Sequence, residues 1–203
     1  MVFLGRVTAL DRAALVRLRD GGGRVTGYAR LPFGVLVSRT IAGAVGPSDV
    51  TVGAAELLAA LDEGPGRSDP VPLPASRDLE WRTPLPPLAG WQRLDEVPAD
   101  VVRSLVRAGA ETLRAVPAGA AASAGESLLD HEALTVSSVE RTAGVPLRVL
   151  TAVSRMGFLG LTGETGGGAG VVVVSAVGGW VRLAAAYGSA YHHQVSGLAL
   201  SPR

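Results

Sequence analysis

Two histidine-bearing stretches are the first places to look for chemistry in this chain. His131-Glu132 opens as a zinc-hydrolase helix motif does, but Thr135 stands where the second imidazole would have to complete the pair. His192 and His193 are adjacent, and neighbours on an extended segment point to opposite faces, so they cannot chelate one ion together. All nineteen basic residues are arginine, which removes lysine Schiff bases, lysine general bases and the phosphate lysine of nucleotide-binding loops. Cysteine is absent too, so there is no thiolate nucleophile, cysteine zinc site or disulfide. No Gly-x-Ser-x-Gly elbow occurs, and no spacing of the carboxylates singles out a catalytic pair. The glycine-rich run 163–170 precedes an apolar strand-like segment, whereas a phosphate cradle follows a strand. It reads as a wing tip or hairpin loop. On these grounds no catalysis, metal or cofactor is expected.

The arginines remain, and their placement is uneven. Residues 126–135 hold Glu126, Asp130 and Glu132 with no base of fixed charge, whereas 136–160 hold Arg141, Arg148 and Arg155 against Glu140 alone. Within this basic part, Thr135–Val153 has the apolar spacing of two helices meeting at a corner. Val136 and Val139 face inward on the first helix and Ala143 is small at the close approach. Gly144 permits a left-handed turn, Val145 plugs the corner, and Pro146 opens a second helix with Leu150 and Val153 inward. This stretch resembles the helix-turn-helix of the lactose-repressor class of bacterial regulators. Glu140 departs from that pattern, standing where a small residue is usual, and with Ser137 it reads as a capping box. The resemblance implies that Leu147, Arg148, Thr151, Ala152 and Arg155 are exposed on the second helix. Arg148, Thr151 and Arg155 would then be the DNA-binding residues and double-stranded DNA the partner, with a role in transcription regulation. Leu147 and Ala152 are poor readers of base edges. They suit a protein partner better, so a non-enzymatic interaction or scaffold module is the alternative.

Three regions must position these residues. Residues 1–63 read as a small α/β module, with strands at Val2–Leu10, Arg24–Leu31 and Gly34–Ile41 and helices at Arg12–Arg19 and Thr51–Leu61. Residues 64–97 form a Pro-rich connector. Because Trp81 and Trp91 lie in it, its 79–94 part should dock on a surface and shield both indoles. Residues 98–203 read as a helical domain. A helix over Pro98–Val116 and a short one over Glu126–Leu134 precede the helix-turn-helix. A β-hairpin follows, Val171–Val177 and Trp180–Tyr187 joined at Gly178-Gly179, with Tyr191–Leu200 as a third strand. Tyr187, Ser189, Tyr191 and His193 alternate onto one side of such a strand. They would stack bases, make a dimer face, or lie under a covering helix. The expected fold class is therefore α+β, a small N-terminal α/β module plus a C-terminal winged-helix-like unit.

Composition bounds the rest. With 47% hydrophobic and only 4% aromatic residues, the core must be built from Val, Leu and Ala. Lys, Asn and Cys are absent and Ile41 is the single isoleucine, a signature of a very GC-rich, actinobacterial type of genome. The net charge of +1 is weak for a nucleic-acid binder. No signal peptide or membrane span is apparent, which leads to the expectation of a soluble, cytoplasmic protein. A single helix-turn-helix needs two-fold symmetry for useful affinity, so a homodimer is expected.

Overall fold

The computed structural model describes residues 1–63, 70–139, 141–160 and 170–194. Its elements run α1 (Val2–Leu10), β1 (Leu15–Asp20), β2 (Arg24–Arg30), β3 (Leu36–Ala42), β4 (Asp49–Gly53) and α2 (Ala54–Glu63). After the connector come β5 (Gln92–Pro98), α3 (Ala99–Arg114), α4 (Ala121–Asp130), β6 (Glu132–Ser137) and β7 (Thr142–Pro146). The chain then forms α5 (Leu147–Arg155), β8 (Val171–Val177), β9 (Trp180–Ala185) and β10 (Gly188–His193). Eight strands make one antiparallel sheet in the order β4-β1-β2-β3-β10-β9-β8-β5, and β6-β7 form a separate hairpin.

That sheet consists of two half-sheets of four strands each. The first meander ends at β3 and the last at β10, and the two join there through Leu36–Tyr191, Val37–Ala190 and Ser38–Ser189. Each half carries a helix just before its meander, α1 before β1 and α5 before β8. Both helices lie on the same face, where Phe3 stacks on Phe158 at 6.4 Å between ring centroids. The main core lies between this helix layer and the sheet, and includes Val7, Val16, Ala29, Val37, Leu150, Val153, Val174 and Leu183. The expected pair of an α/β module and a winged-helix unit is thus replaced by a single sheet shared by both ends of the chain.

Several elements differ from the expected ones for identifiable reasons. Val2–Leu10 is helical, not extended, because Phe3, Leu4 and Val7 fall on one helical stripe that the core buries. The helix expected at Arg12–Arg19 is mostly β1, where Leu15–Asp20 pairs with strands on both sides. The start of the helix expected at Thr51–Leu61 is the end of β4, and α2 begins at Ala54. Helix α3, the β8–β9 hairpin and the helix after Pro146 are present as expected. The third strand is β10, Gly188–His193, and its expected continuation, like the 163–169 part of the glycine-rich tip, lies outside the described residues.

The largest correction falls on Thr135–Val153. Its first half is the β6–β7 hairpin, with Leu134 opposite Val145 and Val136 opposite Ala143. Val139 sits fully exposed near the tip, not in a helix interface. Gly144 is a strand residue without a left-handed φ; a Cβ there would collide with the Glu132 side chain. Ser137, expected to cap a helix, instead shares a hydroxyl hydrogen bond with Thr142 at 2.9 Å across the hairpin, and Glu140 lies outside the described residues. Period-two burial decides the matter, since Val136, Ala143 and Val145 point into the core while their strand neighbours do not.

Candidate binding surfaces

The sequence places Leu150 and Val153 inside and the opposite side of α5 outside, and the structure buries more of the helix than that. Leu147, Val149, Leu150, Ala152 and Val153 are all in the core, so two of the five residues expected outside, Leu147 and Ala152, are inside. Leu147 packs against Gly109 of α3 so closely that a Cβ on that glycine would lie 2.5 Å from Leu147 Cδ2. Of the three residues implied as DNA-binding, Thr151 is half-buried and Arg155 is exposed. Arg148 is drawn inward, its side chain only 12% exposed. It donates to the Phe33 carbonyl at 2.6 Å and to Asp130 Oδ1 at 2.6 Å. The guanidinium therefore links α5 to the β2–β3 turn and to the end of α4. His192 lies close to the same pair. Burial, then the Arg148 charge, hold its imidazole below the usual histidine range, against an opposing pull from Asp130.

At the other end of α5 the backbone closes in a left-handed cap. Phe158 N–H donates to the Val153 carbonyl and Gly157 N–H to the Ser154 carbonyl, with Gly157 at φ 65°. The Arg6 side chain from α1 lies over this cap and donates to the Arg155 carbonyl at 3.0 Å, a cation at a helix C-terminus. Arg6 and Arg155 are both exposed here, making a small basic patch at the centre of the helix layer. The layer as a whole is not basic. Helix α2 exposes Glu56, Asp62 and Glu63 and carries no base.

Among the described residues, no α-helix covers the opposite face of the sheet. Connector residues cross it instead: Trp81, Leu85 and Trp91 pack on Tyr28, Leu36 and Tyr191. Trp81 and Trp91 are half-buried, and the Trp91 and Tyr191 rings are 5.9 Å apart. Tyr191, from the aromatic strip seen in the sequence, is thus a docking site for the chain's own connector. At its start the connector caps the β4 edge, where Asp78 Oδ1 accepts from Thr51 N–H at 2.6 Å and Arg77 N–H donates to the Thr51 carbonyl at 2.8 Å. The hydrogen bond from the Ser76 hydroxyl, then the one from Thr51 N–H, holds the Asp78 carboxyl below its usual range.

Beyond the connector, the outer face forms a polar cavity of about 370 Å³ across β2, β3, β10 and β9. Arg39, Arg182, Thr26, Thr40, Ser189 and Tyr187 line it. The Thr26 and Thr40 hydroxyls are 2.9 Å apart, and Ser38 Oγ lies 3.1 Å from Tyr191 Oη. Arg182 rests on the Trp91 ring at 4.6 Å, and Arg39 faces the Tyr187 ring at 6.0 Å. Among the described residues, no three His, Asp or Glu side chains converge to hold a metal ion, and no helix is long and apolar enough to cross a membrane.

Two sequence families meet in this chain. Residues 1–83 match a domain of unknown function (DUF8010), and residues 86–197 match a second domain of unknown function (DUF8185). The chain belongs to the DUF8185 family. The family boundary falls inside the Pro-rich segment, between the capped β4 edge and β5. No curated protein matches the sequence. Solved structures give the fold. The DNA polymerase sliding clamp from Bacillus subtilis is 12% identical with a TM-score of 0.60, covering 100% of this chain and 63% of that one. The DNA polymerase beta subunit of Streptococcus pyogenes is 11% identical with a TM-score of 0.58, covering 98% of this chain and 62% of that one. The corresponding subunit from Pseudomonas aeruginosa gives 12% identity and a TM-score of 0.58, over 96% and 62%. This chain has the sliding-clamp type of fold and spans just under two thirds of the length of these neighbours. The likeness overturns the lactose-repressor resemblance, and with it the reading as a DNA-binding regulator of transcription, because the segment that carried both is a strand hairpin and a core helix.

Proposed function

We propose that this protein is a non-enzymatic interaction module, a scaffold of sliding-clamp fold that works by binding other proteins and further copies of itself. The observation that supports this reading is the clamp-like sheet and helix layer extending over essentially the whole chain. The charge of the helix layer separates protein binding from DNA binding. DNA presents a dense row of phosphates and favours a surface that is basic throughout. Here α2 places three exposed carboxylates at one end of the layer, where they would repel a phosphate backbone. Toward the other end, α3 exposes Arg107 and Arg114 beside Glu111. Arg107 and Arg114 would offer local countercharges to the α2 carboxylates of another copy, which suits head-to-tail contact.

A second reading, a helix layer that touches DNA, is favoured by the Arg6–Arg155 patch alone. One pair of measurements tests both. Sedimentation velocity at low and high salt should show association that salt weakens, and Glu56→Gln/Asp62→Asn/Glu63→Gln should reduce it. Fluorescence anisotropy with duplex DNA should show weak binding that the same triple variant strengthens. A monomer at every concentration together with tight DNA binding, lost in Arg6→Ala/Arg155→Ala, would replace the scaffold reading with the DNA one.

A further inference from the structure

We propose that the polar cavity on the outer face is a binding site for a phosphate monoester. Its volume, about 370 Å³, lies in the range of ligand-binding clefts and exceeds what a bare oxyanion would fill, so the anion would arrive attached to a carrier. The lining holds two arginines and no carboxylate. Among the described residues neither Arg39 nor Arg182 forms an ion pair. Arg182 is the more telling of the two. Its Nε is buried without a hydrogen-bond partner, and Trp91 covers one face of its guanidinium. A cation partly withdrawn from water without a countercharge is costly, and an oxyanion in the cavity would offset that cost.

The hydroxyls indicate which oxyanion. Thr26, Thr40 and Ser189 bring neutral donors to the same cavity as the arginines. A phosphate ester presents three acceptor oxygens to such a mixed set, more than a carboxylate can use. Two carriers share this chemistry, a small-molecule ester and a phosphorylated side chain of a protein partner.

Isothermal titration calorimetry on the full chain at low salt tests the site with inorganic phosphate, adenosine monophosphate and a phosphoserine peptide. Saturable one-to-one binding is expected, weakened roughly tenfold or more by Arg182→Gln and less by Arg39→Gln, since hydrogen bonds to a charged partner dominate such sites. Arg12→Gln, exposed in the turn between α1 and β1 and outside the cavity, should bind as the unaltered protein does. The tighter of the two esters identifies the carrier, and either result upholds the site. Should Arg182→Gln fail to fold, Thr40→Val/Ser189→Ala takes its place and should also weaken binding. Absence of saturable binding by all three probes would overturn the proposal. So would unchanged affinity in the cavity variants, or equal binding of the peptide with glutamate in place of phosphoserine.

Discussion

Arg148 ties α5 to two other parts of the chain, and Arg148→Ala removes both ties at once. The bond to the part-buried Phe33 carbonyl is made by a charged donor, and bonds of that kind contribute about 1.5–3 kcal/mol. The pair with Asp130 contributes less. That carboxylate is 67% exposed, and screened pairs of this sort contribute at most about 1 kcal/mol. Loss of the packed side-chain stem adds to the cost, while relief of the buried, unpartnered Nε offsets part of it. The net expectation is a destabilisation of about 2–4 kcal/mol. At about 2–4 °C per kcal/mol for a chain of this size, Tm should fall by roughly 5–15 °C. Arg155→Ala is the control. Its side chain is exposed, and the carbonyl that Arg6 uses belongs to the backbone and survives the substitution. Its stability should stay within about 0.5 kcal/mol of the unaltered protein. Thermal and urea melts followed by far-UV circular dichroism compare the two. If Arg148→Ala and Arg155→Ala melt together, Arg148 is not the tie described here.

Gly157→Val combines a left-handed φ with a Cβ 2.5 Å from the Arg6 guanidinium carbon, and should cost more than about 1 kcal/mol in the same melts. For His192 the folded state favours the neutral imidazole. Stability should therefore be fullest above the unfolded pKa of about 6.5 and decline as pH falls through the lower folded value. His192→Gln should flatten the dependence of Tm on pH below neutrality, and an identical pH profile would refute the assignment. Trp91→Ala should loosen the connector from Tyr191 and Arg182, at a cost of about 1–2 kcal/mol, and open the 79–91 segment to early proteolysis.

Strong local signals placed some elements in both halves, among them β2 and β3. Gly178-Gly179 between two β-branched runs marks the β8–β9 hairpin, and the one-sided apolar stripe of Val102, Leu105 and Val106 marks α3. Short apolar runs were ambiguous. Val2–Leu10 mixes valine and threonine with leucine, and its helical stripe was outweighed by its β-branched content until the core showed which face is buried. In Thr135–Pro146 the same valines satisfy a three-to-four spacing and an alternation, and the glycine drew the reading toward a corner. The shared sheet could not be read locally at all, since β3 and β10 stand at opposite ends of the chain. As for the candidate surfaces, the exposure of Arg155 and the docking of Trp81 and Trp91 were visible in the sequence, whereas the cavity was not. Its arginines and hydroxyls come from both halves of the chain and adjoin only once the two meanders pair.

Among the described residues, three cross-strand residue pairs join the two meanders, beside the helix-side contacts of Phe3 with Phe158, Arg6 with Arg155 and Arg148 with Phe33. The connector runs from the capped β4 edge across the outer face before β5 begins at the far edge. Covalent continuity along that path sets the effective concentration of one half-sheet at the other. A single cut there would leave every residue pair of the junction intact and yet make its formation second-order. Two fragments that each retain a four-stranded meander would then part on dilution and recombine on mixing. The intact chain keeps its central junction, and the cavity that spans it, independent of how much protein is present.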